Sequence, residues 1–184
     1  VLVAADGRGF AVRGADGKLA LHHIGSDSFA MREWLAADAD WRDVHDKTLG
    51  QGIACDPSGC IGKLGDGAMV AYALAPAALE EDCRRTALVI VTHGEPPADC
   101  KATVIARALW RQRGALALRR RFDQRGGEFV IDAARSANFD RPWSPARGTR
   151  AVVPAAITEA DGERASAHPP RDATPRQEDI EADE

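Results

Sequence analysis

The sequence predicts a mixed α/β fold on three observations: Asp-Gly and Gly-Asp-Gly turns between short apolar runs, helical spacing of larger apolar residues, and the continuous run Leu88-Val89-Ile90-Val91. Asp-Gly supplies the positive φ angles that tight hairpin turns require. Apolar residues recurring every three to four positions mark a helix, whereas a short unbroken apolar run between loop residues suits a strand covered on both faces.

Taken in order, residues 1–4, 9–13 and 18–22 predict a three-stranded meander divided by Asp6-Gly7 and Asp16-Gly17. Ser26, Asp27 or Ser28 suits the start of a helix that carries Met31, Trp34 and Leu35 through about Ala37 and buries its tryptophan. Residues 38–52 lose the pattern to Asp, Trp, His and Gly and read as a long surface loop, with regular structure resuming at Cys60. Residues 61–64 and 68–74 predict a hairpin across Gly65-Asp66-Gly67, and Pro76 suits the first turn of a helix through about Arg84. After the strand over 87–92, Glu95-Pro96-Pro97-Ala98-Asp99 reads as a loop, because proline cannot donate to a strand ladder. A short strand over 102–105 and a helical turn through Trp110, ending before Gly114, are expected next. Residues 115–121 and 128–133 then pair across Gly126-Gly127, with Leu116 and Leu118 on one face and Phe129 and Ile131 on a different one.

The folded region is expected over 1–146. Residues 147–184 are rich in Ala, Pro, Glu, Asp and Arg with few large apolar side chains, so they predict a disordered acidic tail that cannot repay the entropy of ordering. The 184 residues suffice for one ordinary domain, and with aromatics at only 5% the core must rest on aliphatic and alanine side chains. The longest apolar candidate, 68–79, is too short to span a bilayer and contains Pro76. Val1 is not followed by a basic-then-apolar leader, so export is expected to depend on something upstream.

The net charge of -4 hides a division along the chain. Residues 101–125 hold eight basic residues against the single acid Asp123, whereas 151–184 hold nine acids against three arginines. A solvated face is the simplest reading of the basic run. An anion or DNA contact is the alternative, with Arg107, Arg111, Arg113, Arg119, Arg120 and Arg121 as candidates.

Four cysteines, Cys55, Cys60, Cys83 and Cys100, allow three pairings. Local spacing favours Cys55 with Cys60, because Pro57 and Gly59 can fold the chain back, and this leaves Cys83 with Cys100. A four-thiolate zinc site would lack the paired CxxC knuckles that usually present such ligands, and reduced buried thiols are the remaining reading. Among the histidines, His22 and His23 point to opposite strand faces and do not readily share a metal. His93, at the carboxyl end of the apolar strand, and His45, beside Asp43 and Asp46, are each more simply loop residues than parts of a site. There is no GxSxG elbow and no phosphate-binding loop, and Glu80-Glu81-Asp82 reads as a solvated helix end.

The ordered features Val1-Leu2-Val3, Val12-Arg13-Gly14-Ala15-Asp16-Gly17, Glu33-Trp34-Leu35-Ala36-Ala37-Asp38, Cys55-Asp56-Pro57-Ser58-Gly59-Cys60, Glu81-Asp82-Cys83, Ala87-Leu88-Val89-Ile90, Cys100, Gly114-Ala115-Leu116-Ala117-Leu118 and Arg141-Pro142-Trp143-Ser144 carry a resemblance over about Val1 to Ser144. Together they resemble the soluble carboxyl-terminal end of the ComEC/Rec2 family of bacterial competence proteins, in its alphaproteobacterial form. The resemblance implies a partial or degenerate metallo-β-lactamase-like sheet structure following a membrane region that carries transforming DNA across the inner membrane. It implies as partners the membrane-embedded remainder of that transporter and single-stranded DNA, with a periplasmic location and no evident small-molecule substrate. The HxHxDH metal motif of active metallo-β-lactamase-like domains is missing, and no HHG follows, only His93-Gly94. No catalytic residue, metal ligand or cofactor is therefore carried over. The expected function is a noncatalytic part of a DNA-uptake channel, and the alternatives are a metal-dependent hydrolase remnant or a disulfide-stapled interaction module.

Overall fold

Turn chemistry and strand alternation set the first sheet. In this computed structural model, which describes residues 1–25, 28–123 and 126–136, β1 (Leu2–Val3), β2 (Gly9–Arg13) and β3 (Leu19–His23) form an antiparallel meander. The Oδ1 atoms of Asp6 and Asp16 accept the Arg8 and Lys18 amides at 2.9 and 3.1 Å, while Gly7 and Gly17 take φ of 68° and 77°.

The second sheet comprises β4 (Ile53–Cys55), β5 (Gly59–Lys63), β6 (Met69–Ala73), β7 (Leu88–Val91) and β8 (Thr103–Ala106), in chain order across the sheet. Pairing is antiparallel up to β6 and parallel from β6 to β8. The closing hairpin of β9 (Leu116–Asp123) and β10 (Gly126–Ala133) returns to the first sheet, where β9 pairs with β1 to give the order β10-β9-β1-β2-β3. Both ends of the described chain thus lie in one sheet.

Three helices complete the fold: α1 (Phe29–Ala37), α2 (Leu79–Arg85) and α3 (Arg107–Arg113). Between the sheets, Phe10, Val12 and Leu118 meet Val70, Tyr72, Leu88 and Ile90, with Trp110 of α3 in the same cluster. Alternate residues face outward: Leu19 and Leu21 pack under Leu35 of α1, and Ala71, Val89 and Val91 pack under Leu79 and Cys83 of α2. The layers therefore run α1, sheet, sheet, α2. At Gly62 a Cβ would lie 2.9 Å from Val12 Cγ2, so the sheets approach closely where no side chain intervenes.

The meander, the Gly65-Asp66-Gly67 hairpin and the doubly covered β7 follow the sequence reading, and all four β7 residues are buried. Pro76 opens a 3-10 turn, Pro76–Ala78, that leads into α2. Gly114, at φ 77°, ends α3.

Four expectations are corrected. Trp34 is only half-buried, because the neighbouring Leu35 is the residue that α1 turns down onto the sheet. Residues 38–52 hold structure: Asp46 caps a 3-10 turn, Lys47–Gly50, that buries Leu49, and Arg42 binds Asp40 at 2.5 Å and the Leu19 carbonyl at 2.7 Å. Strand β4 also precedes Cys60; at three residues and an edge, it carries no alternation to read. Finally, Ile131 lies opposite Leu118, so Phe129 and Ile131 share the inner face with Leu116 and Leu118.

The predicted tail over 147–184, Arg141-Pro142-Trp143-Ser144 and the cap candidates Ser26 and Asp27 lie outside the described residues. Ser28 is the α1 cap position but makes no side-chain cap bond. No helix among the described residues is long and apolar enough to cross a membrane.

Candidate functional site

Strand alternation distributes the basic run. Arg107 and Arg111 are exposed on α3, whose Trp110 is 2% exposed and anchors the helix to the core. The Nε of Arg113 donates to the Arg135 carbonyl at 2.8 Å, which ties the end of α3 to the chain after β10. On β9, Leu116 and Leu118 face inward, so Arg119 and Arg121 face outward. Arg119 pairs with Asp132 at 2.5 Å, and Arg121 stands opposite Glu128 in the ladder. Arg120 turns inward instead: it binds Asp66 on the other sheet's hairpin at 2.8 Å and lies 5.1 and 5.6 Å from the ring centroids of Phe122 and Phe129. The six arginines thus divide between two sides of the hairpin and a helix, and acids compensate part of their charge.

The two disulfides are Cys55–Cys60 and Cys83–Cys100, the arrangement the spacing favours. Cys83–Cys100 joins α2 to the segment before β8, within the apolar cluster that holds Leu79 and Val89. Cys55 and Cys60 are direct partners across β4 and β5. Asp56 Oδ1 accepts the Ser58 and Gly59 amides at 2.7 and 2.9 Å, and the Ser58 carbonyl accepts the Leu74 and Ala75 amides, both at 2.9 Å. The turn is therefore built by the aspartate and fastened to the end of β6 independently of the sulfurs.

The other sheet brings His22 to this bridge, with Nδ1 3.4 Å from Cys55 Sγ. The imidazole lies 6.0 Å from the Phe10 ring and 6.1 Å from that of Tyr72, and those two rings stack at 4.8 Å. Burial, and secondarily the charge on His23, holds His22 below the ordinary histidine range. Tyr72 donates its hydroxyl to the Gly7 carbonyl at 2.5 Å, and burial, with a smaller effect of Asp6, pushes its phenol up to about 12. A Cβ on Gly7 would come within 2.6 Å of Trp110 Cε2, so glycine lets this turn approach the indole.

A cleft of about 540 Å³ opens beside the bridge, lined by both cysteines, Asp56, Glu81, Asp82 and Arg85 among others. Burial, helped by Glu81 and Asp56, raises the Asp82 carboxyl above its usual range. Among the described residues, His22, Cys55 and Cys60 are the one group of His, Cys and acidic side chains whose ligand atoms cluster, all within 4.8 Å. His45 and His93 are exposed in separate loops, and His93 Nδ1 lies 3.0 Å from Thr92 Oγ1.

The sequence reading named His22 and Cys55 but did not join them. They lie 33 residues apart on different sheets, and no local motif links them. Only the alternation that turns His22 to the inner face points toward the contact. No family model, curated protein or solved structure matches the chain.

Proposed function

We propose that this chain is a noncatalytic soluble portion of a DNA-uptake membrane channel protein of the ComEC/Rec2 type. The observation that carries the reading is the ordered set of sequence features from Val1 to Ser144, taken together. Two facing sheets between outer helices support a degenerate metallo-β-lactamase-like reading of the fold. The noncatalytic part rests on the missing HxHxDH motif. Two disulfides suit an oxidising periplasmic face.

In this reading DNA contact falls to the outward cations, with Arg107, Arg111 and Arg121 the best placed of the six and Arg120 committed to joining the sheets. Contacts of this kind neutralise phosphates without reading bases. Fluorescence anisotropy with a labelled oligothymidylate tests it. Weak binding is expected at low salt, fading as salt rises, and the triple change of Arg107, Arg111 and Arg121 to Ala is expected to flatten the log–log salt slope by about 2. No binding at low ionic strength would remove the DNA contact. The channel assignment has a separate test: an in-frame series of apolar spans encoded upstream of Val1.

A second reading, a disulfide-stapled module that binds another protein, is favoured by Trp41, which is 92% exposed in the loop after α1. Retained DNA binding in Trp41→Ala, together with loss of a co-purifying partner, would favour it.

A further inference from the structure

We propose that Cys55–Cys60 is a thiol–disulfide exchange site, with Cys55 the accessible sulfur, Cys60 the buried resolving sulfur and His22 a positioning residue that holds a hydrogen-bond donor on Cys55. Four observations converge on it. The pair is asymmetric: Cys55 is exposed, whereas Cys60 is 2% exposed. Exchange needs an in-line approach to one sulfur and a leaving thiolate on the other, and this asymmetry decides which sulfur is attacked.

Second, His22 reaches across from the opposite sheet to place Nδ1 3.4 Å from Cys55 Sγ. Its Nε2 is buried without a hydrogen-bond partner. A proton on Nδ1 therefore leaves only a bare lone pair stranded, whereas the other tautomer would strand an N–H, the rarer and costlier case. Nδ1–H is thus aimed at the sulfur, where its bond strengthens once that sulfur becomes a thiolate.

Third, the bridge is expendable for the fold. It joins residues already paired in the β4–β5 ladder, and the Asp56 turn and the Ser58 carbonyl hold the connection without it. Cys83–Cys100 has no such redundancy, since it crosses from a helix to a loop in an apolar cluster. Fourth, both cysteines line the cleft of about 540 Å³, with Cys55 the exposed one of the two. Its lining of Asp56, Glu81 and Asp82, with Arg85 paired to Glu81 at 2.5 Å, disfavours anionic thiols. An uncharged dithiol, or a protein dithiol flanked by basic residues, is the fitting reactant.

The step balances as follows. One thiolate of the external dithiol attacks Cys55 Sγ; a mixed disulfide forms, the Cys55–Cys60 bond breaks, and Cys60 leaves as a thiolate that takes a proton from solvent. The second external thiol, deprotonated by solvent, attacks the external sulfur of the mixed disulfide, closes the partner's own disulfide and expels the Cys55 thiolate onto the His22 donor. Two electrons pass from the dithiol to the protein, and His22 keeps its proton.

The test equilibrates the full chain in dithiothreitol redox buffers and quantifies each disulfide separately by mass spectrometry after alkylation. Cys55–Cys60 is expected to reduce at an equilibrium at least tenfold easier than Cys83–Cys100, with the folded circular-dichroism spectrum retained. A parallel arm with a reduced Cys-x-x-Cys protein distinguishes a macromolecular reactant from a small one, and reduction in either arm supports the site. In Cys60→Ser, Cys55 is expected to form mixed disulfides at least tenfold faster than Cys60 does in Cys55→Ser. His22→Phe is expected to shift the Cys55–Cys60 equilibrium about tenfold toward the disulfide, His22→Gln to recover part of that shift, and Cys83–Cys100 to stay unchanged in both. Simultaneous reduction of both disulfides, equal reactivity of the two single-cysteine variants, or an unchanged equilibrium in His22→Phe would each overturn the proposal.

Discussion

His22 shows how one side chain acquires properties its neighbours in sequence do not set. It follows Leu21 into β3, and the pleat alone turns it toward Phe10 and Tyr72 while His23 turns away. Burial there favours the neutral ring, so the folded state holds its proton less tightly than the unfolded chain does. The unfolded chain therefore binds more protons just below the ordinary value of 6.5. Stability from this group is complete above 6.5 and is lost as pH falls through the lower folded value. Urea unfolding at a series of pH values is expected to show this loss in the wild type and a flatter profile in His22→Phe. An identical profile in the variant would refute the assignment. The sequence made the ring legible as a metal-capable imidazole, but its sulfur neighbour was not, because the contact depends on how two sheets register against each other.

At the scale of elements, turns were the most legible features. Asp-Gly and Gly-Asp-Gly sites fixed the hairpins because few residues tolerate positive φ, and Gly7, Gly17 and Gly67 all adopt it. Strand β4 was not legible: three residues at a sheet edge show no period, and their identity comes from the partner strand. The disulfides differ in what they hold. Chain-entropy arithmetic gives about 2 kcal/mol for a link across five residues and about 3 kcal/mol across seventeen. The Asp56 turn already orders the shorter loop, so its share falls further. The double change of Cys83 and Cys100 to Ala is accordingly expected to cost more than that of Cys55 and Cys60, by about 1 kcal/mol or more in denaturant unfolding. Equal costs would show that the short bridge is as structural as the long one.

At the scale of the whole molecule, the decisive feature is how closely the sheets meet. Gly62 on β5 faces Val12 on β2, and a methyl group at Gly62 would sit 2.9 and 3.1 Å from the two valine methyls. Val12 is fully buried and β-branched, so it has little freedom to yield. Gly62→Ala is therefore expected to destabilise the fold by about 1–3 kcal/mol. Adding Val12→Ala, which removes the opposing methyls, is expected to cost less than the sum of the two single changes. Strict additivity in thermal or urea unfolding would mean that the sheets do not press together at this point. The Arg120–Asp66 pair spans the same two sheets at a different place, and its position explains why a run of three arginines on one strand does not make one basic surface.

The turns, the α/β character and the doubly buried strand are legible in the chain alone, and its spacing favours Cys55 with Cys60 among the possible pairings, because each rests on residues close in the chain whose conformational or spacing preferences act locally. Packing in three dimensions set which strands share a sheet, that the last hairpin joins the first strand, that Arg120 faces inward, and that His22 meets Cys55. Those outcomes depend on burying two apolar faces against one another. That packing energy belongs to surfaces assembled from distant segments and leaves no mark on any short stretch of sequence.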